Sequence, residues 1–293
     1  MLQRILVATD FSPAAHRAVL RAGVIARQSG AELTVLHVLP ERGLLERVLH
    51  RHEIDRTQMA AGAERALQRE TDALRAASAI AAKPAILEGI AHRAIEATGA
   101  ALRADLVVIG ARGESEATLG TRMLGGTAFK CLTTMTLPLL LVRSAIAGRY
   151  YKVLAAVDGS DSAHDVLAWA LEMSKGGAIC EALHAFDTPF AARLRAHGVE
   201  DATIEAYATE ERERARNELV ALAARLAATE RVTPLVTRGN AVPTILHEIV
   251  EREADLVVLG RHARREHLAD RSILGSVSLR VALDAPVDVL LTA

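Results

Sequence analysis

Cysteine is nearly absent from this sequence, since Cys131 and Cys180 are the only two among 293 residues. Both lie in apolar stretches and far apart, which excludes a disulfide framework and a cysteine metal site. We therefore expect a reducing, cytoplasmic location. No region approaches the ~20 apolar residues that a transmembrane helix needs. The opening segment MLQRILVATDFS reaches Asp10 before a signal-peptide apolar core could form, so we expect no secretion signal.

A strong charge of one sign is also lacking. The chain has 35 Lys and Arg against 36 Asp and Glu, a formal net charge of −1. Such a balance provides no general electrostatic attraction for nucleic acids or anionic membranes, and we expect neither as a partner. With 51% hydrophobic and 24% charged residues, the composition is that of a globular protein, and the length suits two domains.

The sequence repeats itself at an offset of 147 to 150 residues. DLVVIGARGE at 105–114 returns as DLVVLGRHAR at 255–264, and LGGTA at 124–128 returns as LGSVS at 274–278. The segment at 5–22 returns at 153–170, which aligns Asp10 with Asp158. A match over the whole length indicates a tandem duplication. We predict one domain at 1–146 and a second at 147–293.

Within each half, short apolar runs alternate with helical periodicity. Runs such as 5–8 and 106–109 have the length and Val, Ile and Leu content of strands buried on both faces. Helices are predicted at 13–28, at about 55–79 and at 92–103. Five strands alternating with four helices predict an α/β domain with a parallel, flavodoxin-like sheet of order 3-2-1-4-5 and helices on both faces.

The first helix of each half has a recognisable start. Ser12 can accept hydrogen bonds from free backbone N–H groups, and Pro13 fixes the first helical turn. The alignment places Ser160 at the position of Ser12, so we expect Ser160 to have the same role in the second half.

The predicted fold locates a ligand site before any motif is considered. In open α/β sheets, ligands bind beyond the carboxyl ends of the strands where the strand order reverses, here between strands 1 and 4. Strand 1 ends at Asp10 and strand 4 at Gly110, while a helix beginning near Gly125 would direct backbone N–H groups into the same crevice. An acid, a glycine loop and a helix N-terminus are suited to a nucleotide or another phosphate ligand.

At these motifs, each half resembles the universal stress protein family. The segments ILVATD, LHV, VVIGARG and LGGTA carry the resemblance in the first half, and VLAAVDGS, LHAF, VVLGRHA and LGSVS carry it in the second. The resemblance covers nearly the whole chain. It implies two adenine-nucleotide-hydrolase-like domains, a role in the stress response, and binding of ATP or another adenine nucleotide. Mg²⁺ would be held through the phosphates, without a dedicated protein metal site.

The resemblance also implies a role for each matching position. Asp10 and Asp158 match the acid near the adenine and ribose, and Val38 and Ala185 match the strand-2 residue whose backbone contacts the base. The remaining positions match the ribose and phosphate loop and the phosphate-binding turn: Gly110, Arg112, Gly113, Gly125, Gly126 and Thr127 in the first half, and Gly260, His262, Ala263, Gly275, Ser276 and Ser278 in the second.

Each half departs from the family pattern of glycine, two residues, glycine, nine residues, then glycine with Ser or Thr. Both halves have an eleven-residue spacer, Gly126 replaces the hydroxyl residue in the first half, and Ala263 replaces the second glycine in the second half. Losing a charge-assisted phosphate bond costs ~1.5–3 kcal/mol, more than the ~1 kcal/mol of a left-handed alanine. We therefore expect Ser276 and Ser278 to give the second half the stronger hold on phosphate.

Two functions remain open on the sequence. The chain is either a nucleotide-binding stress protein or a degenerate scaffold that binds a protein partner or another small ligand. Strand-end Asp residues often accept hydrogen bonds from turn amides, and glycines often serve tight turns, so these residues also have purely structural interpretations. No P-loop, nucleophile elbow or Cys/His dyad is present, and slow ATP hydrolysis is the most that we expect.

The last strand of each half is apolar and is predicted at a sheet edge. These strands are 138–142 and 287–291. An unpaired apolar edge favours aggregation, so we expect the two halves to associate as an intramolecular pseudo-dimer, and a homodimer is a further option.

Overall fold

The protein was analysed as a computed structural model that describes residues 2–41, 56–111, 124–144, 148–160, 162–188, 191–261 and 274–293. Its chain divides into two compact units, Met1–Arg149 together with Ala293, and Tyr150–Thr292. Each unit has the α/β architecture that the repeat predicts. The expected pairing of the two halves through their last strands stays a prediction.

The first unit contains a parallel sheet whose strands alternate with helices. Its described strands are β1 (Arg4–Thr9), β2 (Glu32–Leu39), β3 (Ala82–Glu88), β4 (Leu106–Gly110) and β5 (Leu139–Val142). Its described helices are α1 (Pro13–Ser29), α2 (Arg56–Ser78), α3 (Ala91–Leu102) and α4 (Gly126–Thr134). The spatial strand order 3-2-1-4-5 confirms the prediction. Helices α1 and α2 pack together on one face, and α3 and α4 pack together on the other.

The second unit repeats this topology, and its described part contains one more helix than the described part of the first unit. Its described strands are β6 (Lys152–Ala156), β7 (Ile179–Phe186), β8 (Val232–Arg238), β9 (Leu256–Leu259) and β10 (Asp288–Leu291), in the order β8-β7-β6-β9-β10. Its described helices are α5 (Ala163–Met173), α6 (Ala191–Ala196), α7 (Asp201–Arg225), α8 (Ala241–Glu251) and α9 (Ser276–Asp284). The short helix α6 was not predicted, because six residues are too few to show a helical period.

Buried strands form the core of each unit. Every residue of β5, β9 and β10 is buried, as expected for a parallel sheet covered on both faces. None of the described helices combines the length and apolar character needed to cross a bilayer.

The sheet register places the candidate site residues beside each other. Val7 of β1 pairs with Val108 of β4, so Asp10 and Gly110 follow neighbouring strand ends. Ala156 of β6 pairs with Leu259 of β9, which brings Asp158 and Gly260 to the same edge in the second unit.

The first helices of the two units begin differently. Ser12 is the N-cap of α1, and its side-chain oxygen accepts from the Ala15 amide at 3.2 Å, as predicted. Ser160 does not cap α5, so that expectation is wrong. Helix α5 begins at Ala163 after Ser162, and the Ser160 hydroxyl lies 2.8 Å from the Ser162 hydroxyl. The alignment pairs Ser12 with Ser160, but the N-cap of α5 is Ser162, two residues after the aligned position.

Replacing Ser12 by alanine should lower the free energy of unfolding by about 1 kcal/mol, because an amide in the first turn of α1 loses its acceptor. The aligned change, Ser160→Ala, should cost less than about 0.5 kcal/mol, because this hydroxyl caps no helix. Urea denaturation followed by circular dichroism measures both values on the full chain. Equal losses for the two variants would contradict the different helix starts.

Candidate functional site

A crevice opens in the first unit at the carboxyl ends of its central strands. Its cavity volume is about 260 Å³. It lies against the ends of β1, β2 and β4, the first turns of α1, α3 and α4, and the residue after β1. The described lining residues are Ala8, Thr9, Asp10, Ala15, Leu36, Val38, Ala91, Ile95, Ile109, Gly110, Gly125, Gly126, Thr127 and Ala128. Six predicted positions of this half therefore line one cavity.

Asp10 is exposed and is held by the turn that follows β1. Its Oδ1 accepts from the Ser12 amide at 3.0 Å, so the structural role considered from the sequence is present. Phe11 occupies the left-handed region at φ 63°, where the aligned residue of the second unit is Gly159 at φ 70°. The conformation costs a non-glycine residue ~1 kcal/mol. The carboxylate of Asp10 thus supports its own turn and also lines the crevice.

Gly110 is required by packing as well as by its place in the crevice. A Cβ atom at this position would lie 2.8 Å from the carbonyl carbon and oxygen of Ala14 and 2.9 Å from the Ala15 nitrogen. These are backbone atoms of α1, and they cannot move aside cheaply. The glycine at the end of β4 is therefore needed for the approach of α1, whatever the crevice binds.

The start of α4 forms one wall of the crevice. Gly125 is an N-cap in extended conformation without a side-chain cap, and its amide donates to the Ala111 carbonyl at 2.9 Å. The amides of Thr127 and Ala128 lie in the first turn, where backbone N–H groups have no intrahelical acceptor. Gly126 faces open space, since a Cβ atom built there meets nothing within 4 Å. This helix end can donate hydrogen bonds to an anion.

Several lining residues were missed by sequence reasoning. Ala91 and Ile95, four residues apart on α3, form an apolar wall, and Ala15 on α1 contributes another small side chain. The signal was the spacing of apolar residues directly after β3, where the same pair returns as Ala241 and Ile245 on α8. The binding motif does not include this spacing, because the side chains of these residues are apolar.

The equivalent crevice of the second unit is much smaller, with a cavity volume of about 90 Å³. Asp158, Ala185, Gly260, Gly275 and Ser278 line it, as predicted positions, together with Val277 and apolar residues. The narrowing has a direct cause in the alignment. Ser162 and Val166 line this cavity at the positions that Ala14 and Ala18 occupy in the first unit.

The two serine hydroxyl groups of the second phosphate motif have different surroundings. Ser278 is buried, and its hydroxyl donates to the Gly260 carbonyl at 2.6 Å. Ser276 is exposed and is not among the described lining residues. A Cβ atom at Gly260 would lie 2.6 Å from Ser162 Oγ, so the Ser162 side chain fills the space beside this strand end. The expectation that Ser276 and Ser278 give the second half the stronger hold on phosphate stays a prediction, and the Ser278 hydroxyl already donates to Gly260.

Four predicted site residues lie outside the described residues. They are Arg112 and Gly113 in the first half and His262 and Ala263 in the second. Their proposed contacts with ribose and phosphate stay predictions, as does the effect of the eleven-residue spacers.

The half-buried histidines and the buried cysteines have structural surroundings. His37 Nδ1 lies 2.9 Å from the Thr9 carbonyl and therefore donates to it, and the ring stacks on Phe11 at 4.3 Å. Burial lowers the pKa of His184, although Glu218 and Asp158 oppose this effect. Burial also raises the pKa of the Cys131 thiol to about 12 and that of Cys180 to about 11, so both stay protonated at neutral pH.

The described residues contain no group of three or more His, Cys, Asp or Glu side chains that could hold a metal ion.

Comparison with known proteins identifies the same family in both halves. The sequence profile of the Universal stress protein family matches residues 1–143 and again residues 149–293. No curated protein matches the chain.

Solved structures resemble the whole chain at low sequence identity. A universal stress protein from Archaeoglobus fulgidus DSM 4304 is 20% identical, with a TM-score of 0.68 over 99% of this chain and 97% of its own. A protein of unknown function from Pseudomonas aeruginosa PAO1 is 19% identical, with a TM-score of 0.65 over 99% of this chain and 92% of its own. At these identities the likeness shows the shared fold.

A universal stress protein in complex with cAMP matches part of the chain. It is 25% identical, with a TM-score of 0.38 over 48% of this chain and 96% of its own.

The two glycines of the first crevice should respond differently to alanine. Gly110→Ala should lower the free energy of unfolding by about 1–3 kcal/mol, because the new methyl group meets the backbone of α1. Gly126→Ala should change it by less than about 0.5 kcal/mol, because its surroundings are open. Urea denaturation tests both variants. A Gly110→Ala protein as stable as the wild type would show that α1 does not approach β4 this closely.

Proposed function

The chain belongs to the universal stress protein family through both of its halves, and from this premise we propose that it binds one adenine nucleotide, in the crevice of the first unit. Membership makes it a stress-response protein. The nucleotide, its preference for one half and the residues that contact it are the proposed part.

The inequality of the two crevices carries this proposal. Small-molecule sites commonly have volumes of ~300–1,000 Å³. The first crevice, at about 260 Å³, approaches this range, whereas the second, at about 90 Å³, is well below it. Opening the second crevice would require displacing Ser162 and Val166, which belong to the packed start of α5. A nucleotide therefore fits the first unit without rearrangement of a helix.

The walls of the first crevice suit the parts of an adenine nucleotide. Leu36, Val38 and Ile95 provide apolar surface for the base. Asp10, exposed at the end of β1, can accept hydrogen bonds from the ribose hydroxyl groups. The amides of Thr127 and Ala128 can donate to phosphate oxygens at the start of α4. This order, from β2 across β1 to α4, matches the roles that the family resemblance implies.

Mg²⁺ would accompany a triphosphate rather than occupy a protein site. The described lining of the crevice offers one carboxylate, Asp10, and Mg²⁺ is commonly bound through one or two carboxylates together with phosphates and water. Bound in this way, the ion would neutralise part of the phosphate charge, while α4 orients the phosphates.

The alternative function, a scaffold without nucleotide, fits the second unit better than the first. There the Ser278 hydroxyl donates to the Gly260 carbonyl and the cavity is small. We propose that this half contributes to the fold and to protein contacts and leaves nucleotide binding to the first half.

Replacing Asp10 by asparagine should weaken ATP binding by about tenfold or more, because hydrogen bonds to a charged group contribute about 1.5–3 kcal/mol. Asparagine keeps an oxygen that can accept from the Ser12 amide, so the turn should survive. The matched control, Asp158→Asn, should leave the affinity unchanged. Isothermal titration calorimetry measures the affinities and the number of nucleotides bound per chain.

The proposal is contradicted if Asp158→Asn weakens binding as much as Asp10→Asn does, or if the wild type binds two nucleotides. Thermal melts of both variants provide the control for folding.

A further inference from the structure

A lysine lies one helical turn beyond the anion-binding end of α4. Lys130 follows Thr127 by three residues and Gly126 by four, so it shares their face of the helix. Both of those residues line the first crevice. Because Cα–Cβ bonds in a helix tilt toward its N-terminus, the stem of Lys130 can carry its ammonium group back toward the crevice mouth. Lys130 is exposed and has no carboxylate partner within the described part of the chain.

A histidine approaches the same place from α3. His92 directly follows the lining residue Ala91 and precedes the lining residue Ile95 by three positions. Helices α3 and α4 pack against each other. Partial burial lowers the pKa of His92, and the nearby charge of Lys130 lowers it further. The two basic residues therefore lie on packed helices, each within one helical turn of a residue that lines the crevice, and the charge of Lys130 acts on His92.

The second unit lacks this arrangement. Val242 occupies the position of His92, and Arg280 occupies that of Lys130. Arg280 forms an ion pair of 2.7 Å with Asp284, one turn further along α9 and away from the crevice. The residue aligned with Asp284 is Thr134, which cannot pair with Lys130 in this way. Arg280 is thus ion-paired in the unit with the small cavity, whereas Lys130 is available in the unit with the large one.

We propose that Lys130 and His92 form an anion subsite at the mouth of the first crevice, which binds the outer phosphates of the nucleotide. This inference rests on the proposed function and adds to it a preference for ligands with several phosphates over the nucleoside. The amides of α4 hold the phosphate nearest the helix, and the two basic side chains extend the positive potential outward from it.

The other charges that act on His92 limit the strength of the subsite. Arg93 lowers the pKa of His92 and Glu96 raises it, and both lie on α3 with His92. Without ligand, the lowered pKa favours a neutral imidazole. A polyphosphate beside it favours the charged form, so nucleotide binding should raise the pKa of His92.

Calorimetric titration of the full chain with ATP and with adenosine tests the subsite. Lys130→Gln should weaken ATP binding about fivefold and leave adenosine binding unchanged, because only the phosphates meet the lost charge. The matched control, Arg280→Gln, should change neither affinity. Raising the salt concentration should reduce the difference in ATP affinity between wild type and Lys130→Gln. The ammonium group of Lys130 and the outer phosphates would both be exposed to solvent, where salt screens their attraction.

Nuclear magnetic resonance of the His92 ring, assigned with a His92→Gln variant, gives a second measurement. In the free protein, Lys130→Gln should raise the pKa of His92, because a neighbouring positive charge is removed. ATP should raise the pKa of His92 in the wild type, and adenosine should not.

The outcomes separate the two proposals. A wild type that binds neither ATP nor adenosine contradicts the proposed function and the subsite with it. A wild type that binds both with equal affinity keeps the proposed function and overturns the subsite. The subsite is also overturned if Lys130→Gln weakens ATP and adenosine binding equally, or if it changes neither affinity. A pKa of His92 that ATP leaves unchanged overturns the subsite as well.

Discussion

The distance between the first helix of each half and the end of the fourth strand is the constraint on which the site depends. In the first half, α1 approaches so closely that Gly110 must lack a side chain, since its Cβ would meet the backbone of Ala14 and Ala15. In the second half, the Ser162 side chain lies beside Gly260 instead. In the first unit, the backbone of α1 packs directly on the end of β4, and the crevice beside it is the larger one. In the second unit, the Ser162 side chain occupies space beside the end of β9, and the crevice is smaller.

This constraint explains how one duplication can produce two unequal sites. Both halves retain an acid after the first strand and a glycine at the end of the fourth, because these residues also serve the turn and the packing of the fold. Their presence is therefore weak evidence for a ligand. The aligned residues that differ in size beside the two crevices are Ala14 and Ala18 in the first unit and Ser162 and Val166 in the second.

The fold was predictable from the sequence, whereas the volume of each crevice and the hydrogen-bond partners of its lining residues were not. Buried strands such as Leu106–Gly110 are visible in the sequence as apolar runs, and the sheet topology confirms their predicted order in both halves. Ser278 shows why the sequence did not predict the state of the crevice. A motif match identifies the serine but does not say whether its hydroxyl binds a ligand or, as in this structure, donates to the Gly260 carbonyl. The start of α5 at Ala163 and the nearness of His92 to Lys130 likewise depend on packing between segments that the repeat alone does not describe.

The central claim is that the chain holds one adenine nucleotide because only the first of its two crevices has room for one. Native mass spectrometry of the full chain with excess Mg²⁺-ATP tests this most directly, since each bound nucleotide adds its own mass. The account predicts a single added nucleotide at saturation. Two added nucleotides would contradict the closed second crevice, and none would contradict nucleotide binding itself.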